Sequence, residues 1–194
     1  MDVNFAKFFA VVICFMLAVC NREYALNKRD NMLLVAGLAC TLVADFFLVV
    51  LFIYPPGLVF FCTAQILYIV RFGGGRNAQK LPLVAVMPLV YFVIFGDILV
   101  ALALVYAQLF LISYIWMIRA VRRKIYPAPN SWLIFAGMTL FMLCDINVAV
   151  WNLGRMGVVT HEGVISVANG AIWLFYAPSQ VCLALSARKF GAKD

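Results

Sequence analysis

Long apolar stretches, each close to the length of a membrane-spanning helix, follow one another along almost the entire sequence. Hydrophobic residues make up 66% of the 194 residues, charged residues 12%, and the mean hydropathy is +1.03. A helix needs about 20 apolar residues to cross a bilayer. We therefore predict an all-α, polytopic membrane helix bundle that forms a single integral membrane domain over residues 1–194. The seven predicted spans are Val3–Cys20, Met32–Ile53, Gly57–Phe72, Leu81–Phe95, Ile98–Ile118, Trp132–Trp151 and Val164–Ala187.

The basic residues predict the orientation of these spans. Of the fifteen lysines and arginines, all but Lys7 and Arg155 lie near the ends of spans that would face the same side of the membrane. By the positive-inside rule, this distribution places the N-terminus outside and the C-terminus in the cytoplasm. The net charge of +7 is then explained by topology and by contact with anionic lipid headgroups. Because the basic residues are spread over separate short loops, we expect no binding of nucleic acid.

Two of the apolar stretches are each interrupted by one carboxylate in a matching position. Asp45 follows Gly37 by eight residues in span two, and Asp145 follows Gly137 by eight residues in span six. Placing a carboxyl group inside a membrane-spanning helix costs roughly several kcal/mol of free energy, so such a group is by default a candidate for a functional site. We predict that the two aspartates face each other across a central cavity. A 3+1+3 arrangement of parallel repeats, related by an axis along the membrane normal, would bring them to the same depth.

Polar residues on spans three and seven are candidates for the walls of that cavity. Gln65 and Tyr68 lie about one turn apart on span three. On span seven, polar and amphipathic residues recur every three or four positions and so share one helix face. These residues are Asn169, Trp173, Tyr176 and Gln180. The alternative is a polar seam that only holds the bundle together; we favour the cavity because two carboxylates need polar neighbours.

The remaining polar residues have simpler interpretations. Asp97 stands between spans four and five and is predicted to cap span five, the alternative being a place at the mouth of the cavity. His161 lies in a predicted exposed loop without a second metal-type ligand at a useful spacing. The six cysteines all fall inside spans and lack metal-ligand spacing. We therefore expect neither a metal site, nor a disulfide, nor another cofactor.

Short motifs around these residues resemble those of the YhhN-type lysoplasmalogenase family of integral membrane proteins. The similarity covers about residues 32–187 and rests on Ala44-Asp45, Ala64-Gln65-Ile66-Leu67-Tyr68, Cys144-Asp145 and Tyr176-Ala177-Pro178-Ser179-Gln180. Gln65 stands where the family has histidine, and glutamine cannot shuttle a proton as imidazole can. The resemblance implies hydrolysis of the vinyl-ether bond of a lysophospholipid substrate, which gives a fatty aldehyde and a glycerophospho-headgroup. It also implies a multi-pass protein, which we expect in the cytoplasmic membrane of a bacterium.

A pair of intramembrane carboxylates suits such a reaction. Vinyl ethers hydrolyse by protonation of an alkene carbon, followed by attack of water on an oxocarbenium ion. Two close carboxyl groups do not ionise equally, so Asp45 and Asp145 can divide into an acid and a base, in an order that stays open. The candidates for binding the substrate and orienting water are Gln65, Tyr68, Asn169, Trp173, Tyr176 and Gln180.

The main alternative is a transporter or lipid-binding protein without hydrolytic activity. Seven spans with parallel repeats and a polar cavity also describe small carriers, and intramembrane carboxylates serve proton-coupled transport. A third interpretation is a family member whose aspartates merely hydrogen-bond the bundle. A retinal protein is disfavoured, because span seven has no lysine that could form a Schiff base.

Overall fold

The regular elements of the fold are all helices, as the computed structural model shows for the residues that it describes, 3–73 and 83–190. The prediction of an all-α bundle is therefore confirmed. Each of the seven predicted spans coincides with one helix, although residues 81–82 at the start of predicted span four lie outside the described residues. The helices are α1 (Val3–Cys20), α2 (Lys28–Asp45), α3 (Tyr54–Arg71), α4 (Val86–Phe95), α5 (Ile98–Arg122), α6 (Asn130–Arg155) and α7 (Glu162–Leu185).

Apolar helices in the described part of the chain indicate a membrane protein. Three are long and apolar enough to cross a bilayer, namely Lys28–Val50, Ile98–Arg122 and Asn130–Arg155. The first of them is α2 together with a π-helical turn, Phe46–Val50, that continues it without a break. Shorter apolar helices cover Phe8–Cys20 and Leu83–Phe95. The orientation in the membrane and the 3+1+3 repeat stay predictions.

A tight turn and a side-chain cap connect α4 to α5. Gly96 ends α4 with a left-handed backbone conformation, φ +72°, which glycine adopts without strain. Asp97 Oδ1 then accepts hydrogen bonds from the backbone amides of Leu99 and Val100, at 2.9 and 3.1 Å. These bonds satisfy two of the first amides of α5, which have no partner inside the helix. The prediction that Asp97 caps this helix is confirmed.

Two helix pairs, α2 with α3 and α6 with α7, approach closely because a glycine lies at each contact. A Cβ atom at Gly137 of α6 would lie 2.9 Å from Leu183 Cγ of α7. A Cβ atom at Gly37 of α2 would lie 3.3 Å from ring carbons of Tyr68 on α3. Small residues let helix backbones pack at short distances. Around these pairs, α1 packs against α2 and α7, and α5 packs against α3, α4 and α6.

A buried ion pair closes one end of the bundle, where α2 begins and where α3 and α7 end. Arg71 Nε and Nη2 each lie 3.0 Å from a carboxylate oxygen of Asp30. The hydroxyl group of Tyr126 donates to Asp30 Oδ1 at 2.6 Å, and Arg71 Nη2 also donates to Ser186 Oγ at 2.9 Å. These four residues define what we call the ion-pair end. They connect α2, α3, the segment between α5 and α6, and the residue after α7.

Candidate functional site

Asp45 is the last residue of α2 and is almost completely buried, with 3% of its surface exposed. The hydroxyl group of Tyr176 on α7 donates a hydrogen bond of 2.5 Å to Asp45 Oδ2. The π-helical turn begins at the next residue, Phe46, and such turns are frequent at functional sites. The carboxyl group is thus held inside the bundle by a partner 131 residues away in the sequence.

Asp145 on α6 has a tyrosine partner of its own. The hydroxyl group of Tyr106 on α5 donates to Asp145 Oδ2 at 2.6 Å. Asp145 as a whole residue is half-buried, whereas Asp45 is buried. Tyr106 was not predicted from the sequence as a site residue. The pattern that would have found it is its place seven residues before Ser113, which puts both hydroxyl groups on one face of the helix.

The two carboxyl–tyrosine pairs form one cluster. Asp45 and Asp145 are close enough for their charges to repel each other. The thiol of Cys144 lies within electrostatic range of both carboxyl groups, and Tyr106 lies within such range of Tyr176. Four helices, α2, α5, α6 and α7, therefore meet at the carboxyl groups. The structure brings the two aspartates together, whereas a hydrated cavity between them stays a prediction.

Aromatic rings enclose this cluster. The centroid of the Phe141 ring lies 5.4 Å from that of Phe110 and 5.7 Å from that of Tyr176. The Phe61 ring lies 5.6 Å from Tyr106 and 6.2 Å from Phe141. Aromatic pairs of this kind stabilise by about 0.5–1.5 kcal/mol beyond their burial, so they help to fix the orientation of both tyrosines. The same rings, all buried, form an apolar wall beside the carboxyl groups.

The two substrate-binding candidates on α3 are fully buried beside the cluster. Ser113 Oγ on α5 donates to Gln65 Oε1 at 2.6 Å, and Gln65 also lies next to the hydroxyl group of Tyr106. Tyr68 lies about one turn further along α3, toward the ion-pair end, and packs against α2. Gln65 therefore lies beside the Tyr106–Asp145 pair without a hydrogen bond to it, and Tyr68 lies one turn further from this pair.

The four candidates on α7 separate into buried and exposed positions. The ring of Trp173 is half-buried and packs edge-on against Tyr176, with centroids 5.2 Å apart. Gln180 lies one turn beyond Tyr176 toward the ion-pair end; it is fully buried and donates from Nε2 to Ser179 Oγ at 3.3 Å. Asn169 is exposed. It lies about two turns before Tyr176 at an exposed position of α7, and no described hydrogen bond connects it to the carboxyl groups.

The residues that the structure describes include no grouping typical of a metal site. Among them, no three or more histidine, cysteine, aspartate or glutamate side chains are placed to hold a metal ion. All six cysteines are free thiols. His161 is exposed and precedes the first residue of α7.

The chemistry that this arrangement offers is proton transfer. The cluster contains two carboxyl groups, each bonded to a phenol hydroxyl group and enclosed by aromatic rings. One carboxyl group of such a pair can give a proton to a bound molecule while the other receives one. The apolar wall suits a reactant that carries a long hydrocarbon chain.

Comparison with known proteins gives one match. A model of the YhhN family matches residues 4–187, which is nearly the whole chain and includes both aspartates with their tyrosine partners. No curated protein and no solved structure matches the sequence.

Proposed function

Because the chain belongs to the YhhN family, which is associated with lysoplasmalogenase activity, we propose that it is a membrane hydrolase of the vinyl-ether bond of lysophospholipids. The proposed catalytic residues are Asp45 and Asp145. The observation that supports the proposal is their juxtaposition, each with a tyrosine donor. Two acidic side chains inside a helix bundle lower its stability, because burial disfavours their charged forms. Such unfavourable arrangements are expected mainly where function requires them.

The first step of the proposed reaction requires an acid. One carboxyl group, in its protonated form, transfers its proton to the alkene carbon that is not bonded to oxygen. Positive charge then develops on the other alkene carbon and is shared with the ether oxygen. The second carboxyl group, in its ionised form, stabilises this oxocarbenium ion, because electrostatic attraction is strong in a site with little water. Two adjacent carboxyl groups favour such a division, since full ionisation of both would bring like charges together.

The second step requires a water molecule. Its oxygen bonds to the positively charged carbon, and one of its protons passes to the ionised carboxylate. The resulting hemiacetal breaks its bond to the glycerol oxygen, which takes that proton. The hemiacetal hydroxyl group returns its own proton to the first carboxylate as the fatty aldehyde forms. One water molecule is consumed, nothing is oxidised or reduced, and the pair again holds one proton.

The surrounding groups would orient the reactants rather than react. Tyr106 and Tyr176 fix the two carboxyl groups by hydrogen bonds, so that each oxygen has a defined position. The rings of Phe61, Phe110 and Phe141 would pack against the alkenyl chain and exclude bulk water from the oxocarbenium ion. Asp145, the more accessible aspartate, would meet the lipid first.

The proposal is tested by release of aldehyde from a vinyl-ether lysophospholipid by the purified protein in detergent, with the alkyl-ether lipid as the inert comparison. Asp45→Asn and Asp145→Asn are each expected to abolish release while the protein stays folded. Asp97→Asn is the matched control, because asparagine caps a helix as well as aspartate does and Asp97 caps α5. Full turnover by both cluster variants would refute the proposal. Solute flux in sealed vesicles without aldehyde release would instead favour a carrier.

A further inference from the structure

Three polar atoms beside the carboxyl cluster are buried and have no hydrogen-bond partner among the described residues. They are Gln65 Nε2 and the Tyr68 hydroxyl oxygen on α3, and Gln180 Oε1 on α7. All three residues have 0% of their surface exposed. A buried polar atom without a partner costs about 1–3 kcal/mol. Native proteins usually satisfy such atoms with ordered water.

The positions of Gln180 and Tyr68 along the bundle axis, relative to Asp45, follow from the contacts between their helices and α2. Tyr176 bonds Asp45, and Gln180 lies one turn beyond Tyr176 toward the ion-pair end. Thr41 lies one turn from Asp45 in that same direction, because α2 and α7 run antiparallel. The hydroxyl group of Tyr68 lies beside Thr41 without hydrogen-bond geometry. Gln180 is therefore about one helical turn, or about 5 Å, from the level of Asp45, and the Tyr68 hydroxyl group, which lies beside Thr41 and Gly37, is between one and two turns from it.

The hydrogen-bonding capacities of the three atoms complement those of water. Gln65 Oε1 and the carbonyl oxygen of Phe110 both lie within reach of the single Ser113 hydroxyl proton, at 2.6 and 2.8 Å, and Gln65 Nε2 is a donor without a partner. Gln180 Nε2 donates to Ser179, which leaves Oε1 as an acceptor. The Tyr68 hydroxyl group can donate and accept. A water molecule donates two hydrogen bonds and accepts two, so it can bond such a set without leaving a polar atom unpaired.

We propose that Gln65, Tyr68 and Gln180 bind water that supplies the hydrolytic step, and that this water reaches the carboxyl groups from the side of the ion-pair end. The inference rests on the proposed hydrolase function and adds to it the source of the second reactant. The lipid and the water then approach from different sides. The lipid meets half-buried Asp145, and the water is held in the fully buried region behind Asp45.

X-ray hydroxyl-radical footprinting of the full-length protein in detergent tests the bound water without any need for activity. Radicals form from bound water and oxidise the side chains next to it, even inside a protein. We expect oxidation of Tyr68 despite its complete burial, at a level comparable to that of exposed Tyr24. Phe141, which is equally buried but packed among rings, is expected to stay unmodified. A Tyr68 as unreactive as Phe141 would overturn the proposal.

Kinetics test whether this water is the reactant. Tyr68→Phe and Gln180→Met are expected to lower kcat for aldehyde release by about tenfold or more, with KM almost unchanged. In D2O, the unreacted lipid should gain deuterium at the alkene carbon, because protonation continues and reverses before water adds. Tyr114→Phe is the matched control, since its hydroxyl group bonds Thr139, at 3.0 Å, away from the cluster.

The outcomes separate the two proposals. An unchanged kcat in both variants would overturn the water site, as would a rise in KM at constant kcat, which would assign these atoms to the lipid. If the unmodified protein releases no aldehyde from any vinyl-ether lysophospholipid, the proposed function fails. The footprinting result then still decides whether Gln65, Tyr68 and Gln180 hold water.

Discussion

The hydroxyl group of Tyr176 donates a hydrogen bond of 2.5 Å to the buried carboxyl group of Asp45. The corresponding bond on the other side of the cluster, from Tyr106 to Asp145, is 2.6 Å long, but Asp145 is only half-buried. A buried acceptor that loses its donor keeps the full cost of desolvation, whereas a partly exposed one keeps less of that cost. The two pairs are chemically alike but differ in burial. They should therefore respond differently when the tyrosine hydroxyl group is removed.

We predict that Tyr176→Phe destabilises the protein by about 1–3 kcal/mol and that Tyr106→Phe destabilises it by less. Both variants should release aldehyde more slowly, because each leaves one carboxyl group free to turn. Thermal unfolding in detergent and initial rates measure the two effects. Equal losses of stability in both variants would contradict the difference in burial from which the prediction is drawn.

Substitution of Gly137 by alanine is predicted to weaken the contact between α6 and α7. The new Cβ would lie 2.9 Å from Leu183 Cγ and 3.2 Å from Cys182 Cβ, atoms too near the backbone to move aside easily. Overpacking of this kind costs about 1–3 kcal/mol. Gly170→Ala in α7 is the matched control, because no atom lies within 4 Å of the added Cβ. That variant should be neutral or up to about 1 kcal/mol more stable, and thermal unfolding of both compares the two directly.

Much of the fold could be predicted because membrane helices leave a strong pattern in a sequence. The bilayer demands long apolar stretches with every backbone group bonded inside the helix, so apolar length alone located all seven helices. Asp97 was predictable as a cap, since a short polar residue before an apolar run has few other roles. The π-helical turn after Asp45 was not predictable, because the apolar residues Phe46–Val50 fit an α-helix equally well.

The candidate site could be predicted only in part, because a sequence does not show which helices touch. The two aspartates stood out, since a carboxyl group is rare in an apolar run. Tyr106 did not stand out, because tyrosine is common in such helices. The importance of Tyr106 comes from its hydrogen bond to Asp145, which the sequence does not show. Asn169 was included on helical spacing alone. That spacing is correct, but it cannot tell which positions of α7 are exposed.

Asp97→Ala is predicted to destabilise the protein by about 1 kcal/mol without a change in kcat or KM. Alanine removes the acceptor for the amides of Leu99 and Val100. Asp97→Asn should restore the stability, because the amide oxygen of asparagine caps in the same way. Thermal unfolding measures the stability of both variants, and the rate of aldehyde release gives kcat and KM. A loss of activity in the alanine variant at full stability would place Asp97 at the cavity after all.

The buried ion pair between Arg71 and Asp30 is expected to contribute strongly to the stability of the protein. The Arg71 side chain has 0% of its surface exposed and that of Asp30 has 12%, so the two charges compensate each other with little help from water. Asp30→Ala is predicted to destabilise the protein by about 3–5 kcal/mol, because it leaves the guanidinium group buried without its counter-charge. Unfolding in detergent measures this loss, and Glu23→Ala at an exposed position is the control, with a change of at most about 0.5 kcal/mol.

A double variant decides whether the uncompensated charge is the cause. Arg71→Met removes that charge, so Asp30→Ala combined with Arg71→Met should be more stable than Asp30→Ala alone. The hydrogen bond from Tyr126 to Asp30 is lost in both cases and cancels from the comparison. If the double variant is instead less stable than either single one, the two side chains contribute independently through packing. In that case the ion pair is not what holds α2 and α3 together at this end of the bundle.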